Sequence, residues 1–351
     1  IALGSERDPA LLHGQAAMLA TLTSVACAGM GPELLHDQLV RLGASLEPRV
    51  DPESYGLLMR VPKAHWQDGL DLALRCARTP SHQATLFSDA AIQLLSRMHA
   101  QGGALSYRAR ASALIAPRAP GVFAPWGDPT RLGNLNTRNL ESAEREIQAA
   151  TRWAIGIVGP VSVADAVERT ARRLADLEPG SMPKPIVSDA LGPQPEIPHA
   201  LNPSGVNVVA VWSARGKFGH ALGARVFARA LGTLLGAVEG IELLWHDGDV
   251  HGDLAFAAIA LHVQPNLAGA LPKLLAAAAD SFDERVIDRS LEPAIAQARD
   301  AQNAADAQIA VRAERIARIR LGAPLGEPSA DDAMLVMRAL RGAVARWAVV
   351  P

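Results

Sequence analysis

The sequence predicts an α+β protein of two homologous domains in tandem, each an antiparallel-rich mixed sheet with helices packed on one face. Three observations predict it. Arg152-Trp153-Ala154-Ile155 recurs as Arg346-Trp347-Ala348-Val349, 194 residues further on, each time after an amphipathic helical stretch and at the entry to a β-rich run. Gly4-Ser5-Glu6-Arg7 and Trp212-Ser213-Ala214-Arg215 stand near the starts of the two copies, with a strand before and a helix after. Pro183, Pro185, Pro193, Pro195, Pro198 and Pro203 stiffen the stretch between them. The expected division is residues 1–182 for the first domain, 183–204 for a Pro-rich linker and 205–351 for the second domain.

Taken in order, the first copy opens with a strand over residues 1–5 and continues into a helix carrying Gly14-Gln15-Ala16-Ala17-Met18-Leu19-Ala20-Thr21. A second helix ends at Leu42-Gly43-Ala44-Ser45, where Gly suits a helix C-terminus. A strand pair follows around Val50-Asp51 and Ser54-Tyr55-Gly56-Leu57, then an amphipathic helix with Ile92, Leu94, Leu95 and Met98. A helix through Leu140-Glu141-Ser142-Ala143 leads to a closing strand over residues 153–160.

The second copy opens with Val206-Asn207-Val208-Val209-Ala210-Val211-Trp212, a mostly apolar, β-branched run that suits a buried strand. A helix is expected over about 220–235. A hairpin follows, pairing Ile241–Trp245 with Leu254–Val263 across Asp247-Gly248-Asp249. The Ala-rich tail over about 267–319 has helical periodicity and few breakers, which suits three consecutive helices.

At 351 residues, 49% hydrophobic and 20% charged, the chain can bury the cores of two domains. A net charge of -2 supplies no basic field for nucleic acid, and the sparse aromatics are not interleaved with Lys or Arg, so nucleic acid is excluded as a partner. No apolar run reaches the roughly 18 to 20 residues that span a bilayer. The first residue is Ile1 rather than Met, which leaves room for an upstream signal peptide. The compartment stays open between cytoplasm, marginally preferred, and periplasm. Cys27 and Cys76, each inside an apolar helical pattern, read as two small buried hydrophobes rather than a disulfide framework or a metal cluster.

Trp245-His246-Asp247-Gly248-Asp249-Val250-His251-Gly252-Asp253 has the content of a metal site, with His246 and His251 as the imidazole ligands. Asp-Gly-Asp between two β-rich runs is also what a tight turn requires. The turn reading is preferred and metal is kept as the alternative. Arg215-Gly216-Lys217-Phe218-Gly219, between a strand and a helix, is a weaker candidate for holding an anion on backbone amides. Ser5, Ser24, Ser213 and Ser329 have no His and acid in a nucleophile pattern nearby and read as caps or surface residues.

Together, the Gly14–Thr21 frame, the elements after it, Pro125-Trp126-Gly127-Asp128-Pro129 and the closing strand resemble, in order and spacing, the pitrilysin, insulinase and mitochondrial processing peptidase family, the inverzincin fold. The resemblance covers nearly the whole chain. In that family the frame reads Gly-x-Ala-His-x-x-Glu-His, in which the His residues bind zinc and the Glu activates water. Here the ligand positions fall on Ala17 and Thr21 and the base position on Ala20. A methyl group neither ligates zinc nor takes a proton, and a neutral Thr hydroxyl is not a usual zinc ligand. The family's third ligand, a Glu, is also missing, because no acid occurs between Asp89 and Asp128. The stretch where family members hold the substrate carbonyl with Arg and Tyr reads Gly236-Ala237-Val238-Glu239-Gly240-Ile241-Glu242-Leu243 and has neither.

What the resemblance implies is a degenerate half of a peptide-enclosing chamber: no catalytic residue, cofactor or metal in this chain, and zinc in a homologous partner subunit of a heterodimer. A peptide or extended protein segment would lie between the two halves. A structural scaffold or peptide-binding protein without associated proteolysis is the alternative. A third reading, an independent metal hydrolase, rests on His246 and His251.

Overall fold

The computed structural model describes residues 1, 7–8, 12–51, 54–81, 84–100, 111, 114, 125–146, 152–180, 205–251, 253–281, 284–320 and 329–350. These group into two compact units, one within Ile1–Gly102, Arg118–Ile186 and Asp306–Gly322, the other within Gly103–Pro117, Val187–Ala305 and Ala323–Pro351. Both are α+β, with antiparallel sheets and helices. The expected linker, 183–204, and residues 2–6 of the expected first strand lie outside the described residues.

In the first unit, α1 (Gln15–Val25) and α2 (Pro32–Leu42) precede the hairpin β1 (Ser45–Val50) and β2 (Tyr55–Arg60). Pro32 starts α2 where an amide is dispensable, and Gly43 ends it with φ 59 while its N–H closes on Leu39 and Val40 carbonyls. The hairpin register runs from Ser45↔Arg60 to Val50↔Tyr55. Ile1 joins the far side of β2, its nitrogen donating to the Tyr55 carbonyl at 2.9 Å and its carbonyl accepting from the Tyr55 amide at 3.1 Å. The expected closing strand over 153–160 forms no ladder among the described residues. By the repeat, its partner would be residues 1–5, almost all outside the description.

Helices α3 (Trp66–Arg78), α4 (Ala84–Ala100), α5 (Thr137–Glu146) and α6 (Val163–Arg173) complete this unit with α10 (Ile309–Arg320). Arg169 bonds both Asp71 oxygens, at 2.9 and 2.6 Å, and Arg173 adds a further bond, tying α6 to α3. Burial works against Asp71 ionising, but the hydrogen bonds from Arg173 and Arg169 outweigh it and hold the carboxyl below its ordinary range. Helix α10, expected in the second domain, groups here. Glu314 pairs with Arg49 of β1 at 3.3 Å, and a Cβ on Gly156 would sit 2.0 Å from the Ala313 carbonyl oxygen.

The expectation for the two cysteines is overturned. Cys27 and Cys76 are buried, but they are joined as a disulfide with Cα atoms 4.8 Å apart. Each sits in apolar surroundings, which is all that local sequence records. Their adjacency arises because Ala28 N–H bonds the Thr79 carbonyl at 2.7 Å, laying the segment after α1 beside the end of α3.

The second unit is a four-stranded antiparallel sheet in the order β4-β5-β3-β6, from β3 (Val206–Arg215), β4 (Ile241–His251), β5 (Leu254–Val263) and β6 (Arg346–Val350). β3 and β5 are its two inner strands, which is why both read as apolar runs. Helix α7 (Leu222–Gly236) packs on this sheet and buries Phe227 edge-on against Trp212, with ring centroids 6.2 Å apart. A fully buried ring of this kind contributes roughly 1.5–3 kcal/mol. Helices α8 (Leu271–Asp280) and α9 (Glu284–Asp306) follow, and α11 (Ala330–Arg341) buries Ala333, Val336, Met337 and Leu340.

The hairpin differs from its expected form. Asp247-Gly248-Asp249 is no turn: it lies inside β4, paired with Ala258, Ala257 and Phe256, and the chain reverses between His251 and Leu254. Gly248 is needed for proximity rather than for positive φ. A Cβ there would lie 2.4 Å from the Ala224 carbonyl, so its absence lets the backbone of α7 approach β4.

Candidate functional site

The candidate site is the frame on α1. Gly14, at φ 109, precedes the helix with no side chain to cap it. Asp8 supplies the cap from outside: its Oδ2 accepts from the Gly14 amide at 2.8 Å and its Oδ1 from the Ala16 amide at 3.0 Å. The carboxyl is buried, and burial pushes its pKa up to about 7 against the opposing pull of the Gly14, Ala16 and Gln15 amides. Gly127, at φ 100, closes over the same end, where a Cβ would come within 2.5 Å of Gly14 Cα. Gln15 Nε2 donates to the Asn139 carbonyl at 2.6 Å, anchoring the first turn to α5.

From that anchored start the helix is buried without a break from Gln15 to Thr23. Ala17, Ala20 and Thr21, the three positions singled out by the frame, are all 0% exposed. The Thr21 hydroxyl donates to the Ala17 carbonyl at 2.8 Å, and Thr23 does the same to Leu19 at 2.6 Å. Thr21 therefore spends its donor one helical turn back, as Thr in helices commonly does. On α4, Leu94 and Met98 are fully buried whereas Ile92 is 62% exposed. Two methyl groups and a back-bonded hydroxyl do not fit a zinc ion.

Elsewhere, the structure separates the other candidates. His246 and His251 lie on one strand with regular register between them, which puts their Cα atoms about 16 Å apart, too far for two imidazoles to share an ion. Among the described residues no three His, Cys, Asp or Glu side chains converge as a metal group. Three amides of the Arg215–Gly219 loop and the start of α7 are already engaged. Gly216 N–H donates to the Asp253 carbonyl at 2.8 Å, Gly219 N–H to Asp332 Oδ1 at 2.7 Å, and Leu222 N–H to His220 Nδ1 at 2.9 Å. Ser329 caps α11 by accepting from the Asp332 amide at 3.2 Å, Ser24 donates to the Thr21 carbonyl at 2.7 Å, and Ser213 pairs with Phe256 in the sheet. Ser5 lies outside the described residues. Gly236–Leu243 forms the end of α7 and the start of β4, with Gly240 at φ 87 between them.

Sequence reasoning missed two acids. Asp8 and Asp332 each serve a backbone amide at the entry to a helix, six and 113 residues away respectively. Ser329-x-x-Asp332 is a capping pattern that marks the start of α11, but it does not signal the reach of Asp332 to Gly219. Nothing local marks Asp8.

No protein-family profile matches the sequence, and no curated protein matches it. Solved structures do share the fold. A peptidase M16 inactive domain from Pseudomonas fluorescens aligns with a TM-score of 0.65 at 16% identity, over 99% of this chain and 90% of that one. A protease from Helicobacter pylori aligns with a TM-score of 0.63 at 12% identity, over 99% and 92%. The periplasmic protease PqqL from Escherichia coli aligns with a TM-score of 0.62 at 14% identity, over 99% of this chain but 42% of its own. The fold is peptidase-like. At these identities the likeness is one of architecture.

Proposed function

We propose that this chain is the non-catalytic subunit of a two-subunit zinc peptidase, closing a chamber around a peptide or extended protein segment while a homologous partner carries the zinc. The observation that carries the reading is the closure of the α1 frame: Ala17, Ala20 and Thr21 are all fully buried, and none of the three side chains can ligate zinc or take a proton from water. The likeness to a domain named as inactive supports it. So does the likeness to part of a longer protease, because this chain then corresponds to a portion that leaves the rest of a chamber to be supplied.

In this reading the chain contributes shape rather than chemistry. It walls the chamber and excludes water, and the partner's zinc polarises the carbonyl and activates the attacking water. The Cys27–Cys76 disulfide favours an oxidising compartment such as the periplasm. Co-purification from the native source, with metal analysis and mass spectrometry of everything eluting with the chain, tests the proposal. A zinc-containing relative at one-to-one ratio is the expected result. The chain recovered alone and metal-free would move the reading to a scaffold or peptide-binding role.

A further inference from the structure

The Asp247-Gly248-Asp249 stretch, neither turn nor metal site, has a different use. β4 is the last strand of its sheet, and among the described residues no strand pairs with its outer side. With the hairpin closing at His251↔Leu254, alternate residues turn their N–H and C=O away from β5, and Gly248 and Val250 are two of these. Their amides would ordinarily be open to an incoming strand. Both are already taken: Asp247 Oδ1 accepts from Gly248 N–H at 2.8 Å and Asp249 Oδ1 from Val250 N–H at 2.9 Å. The Gly248 carbonyl, facing the same way, accepts from Arg225 Nε at 3.3 Å. Further along, the register shifts between Leu243 and Trp245, which breaks the edge again.

The first unit closes its edge by other means. The Asp51 amide donates to the Ser54 carbonyl at 2.7 Å, and the Tyr55 amide turns away from β1 to Ile1. This phase makes Pro48↔Leu57 an open pair, so the Pro48 nitrogen lies toward the side of β1 on which no strand pairs among the described residues, and there it has no hydrogen to offer. The internal ladder loses nothing, and the free edge lacks a donor at its middle.

We infer that the outer edges of β4 and β1 are both built to refuse an incoming strand, with Asp247 and Asp249 acting as edge guards on β4. Its consequence for the peptide rests on the proposed function: backbone pairing with the enclosed segment falls to the partner's strands, and these edges stay out of it.

Hydrogen exchange on the full chain tests the guards without reference to any partner. In Asp247→Ala/Asp249→Ala the Gly248 and Val250 amides should exchange about tenfold faster or more than in the wild type, the equivalent of losing a hydrogen bond to a charged acceptor. Asp247→Asn/Asp249→Asn keeps the acceptor oxygens and should retain most of the protection, which separates bond capping from charge and from general destabilisation. Adding Pro48→Val to the Ala pair should produce concentration-dependent self-association in sedimentation, or binding of an extended Thr/Val-alternating peptide. Equal exchange in wild type and Ala pair would overturn the inference. So would protection of Gly248 and Val250 in the wild type on adding that peptide. Absence of a zinc-bearing partner on co-purification would remove the functional reading and leave the guards standing.

Discussion

Helices α1 and α7 follow the opening segment and precede the hairpin of their respective units, yet they are built for different surroundings. α7 keeps a wet side, with Arg225, Arg229, Thr233 and Leu234 exposed at helical spacing, and buries the opposite side, where Phe227, Leu231 and Leu235 alternate with Ala224, Ala228 and Gly232. α1 has no wet side from Gln15 to Thr23. A helix that presents a catalytic metal needs one face open to substrate; α1 is buried on every side and behaves as a core element. The comparison teaches that the frame's identity and its burial are consistent with each other: alanines and back-bonded threonines are what a helix enclosed on all sides can accommodate.

The sharpest way to break that comparison is to rebuild the ligating frame. Ala17→His with Ala20→Glu and Thr21→His puts two rings and a carboxyl where nothing is exposed, so thermal melts should show the loss of several kcal/mol or failure to fold, through overpacking and buried polar groups. The control Thr233→His on the wet face of α7 should stay within about 0.5 kcal/mol. If the rebuilt α1 instead folds well and binds zinc stoichiometrically, the enclosed-helix account is wrong.

Next in size is the bond that ties the segment after α1 to α3. Cys27→Ser/Cys76→Ser opens a link spanning 49 residues and should cost about 4 kcal/mol on the chain-entropy account, read as a lowered denaturant midpoint that the wild type reproduces under reductant. Comparable in scale is the acid beneath α1. Burial raises the Asp8 carboxyl in the folded state to about 7 from its ordinary 3.8. Its contribution is therefore fully present below the unfolded pKa and lost as pH rises through 7. Stability should fall between about pH 4 and pH 8 by at most about 4 kcal/mol, and Asp8→Asn should flatten the profile in denaturant titrations.

Smaller effects sharpen the α7 side. Gly248→Ala forces a methyl into the Ala224 backbone and should cost about 1–3 kcal/mol, whereas Gly56→Ala, with nothing within 4 Å, meets no such obstacle. Paired denaturant midpoints read the difference. Arg169→Ala should cost least, about 1 kcal/mol, because its Asp71 pair is partly solvated and Arg173 stays on the same carboxylate.

Much of the architecture was legible in the chain. The apolar run at Val206–Trp212 is the start of an inner strand, Gly43 does end a helix, and the Ala-rich tail does form helices. The hairpin turn was misplaced because Asp247-Gly248-Asp249 and His251-Gly252-Asp253 carry the same turn chemistry. Choosing between them requires the length of β5, which pairs as far as Leu254. The frame residues Ala17, Ala20 and Thr21 were legible by type, and their enclosure was not.

Sequence alone determined the α+β class, the strand–helix–hairpin opening of the second unit and the chemical poverty of the α1 frame, because those follow from residue type and period within a few turns of chain. Only the tertiary structure decided that Cys27 meets Cys76, that Asp8 caps a helix it does not belong to, that α10 rests with the first unit, and that two aspartates occupy a strand edge. Each of these joins groups through packing or register, and neither is encoded in the residues next to them.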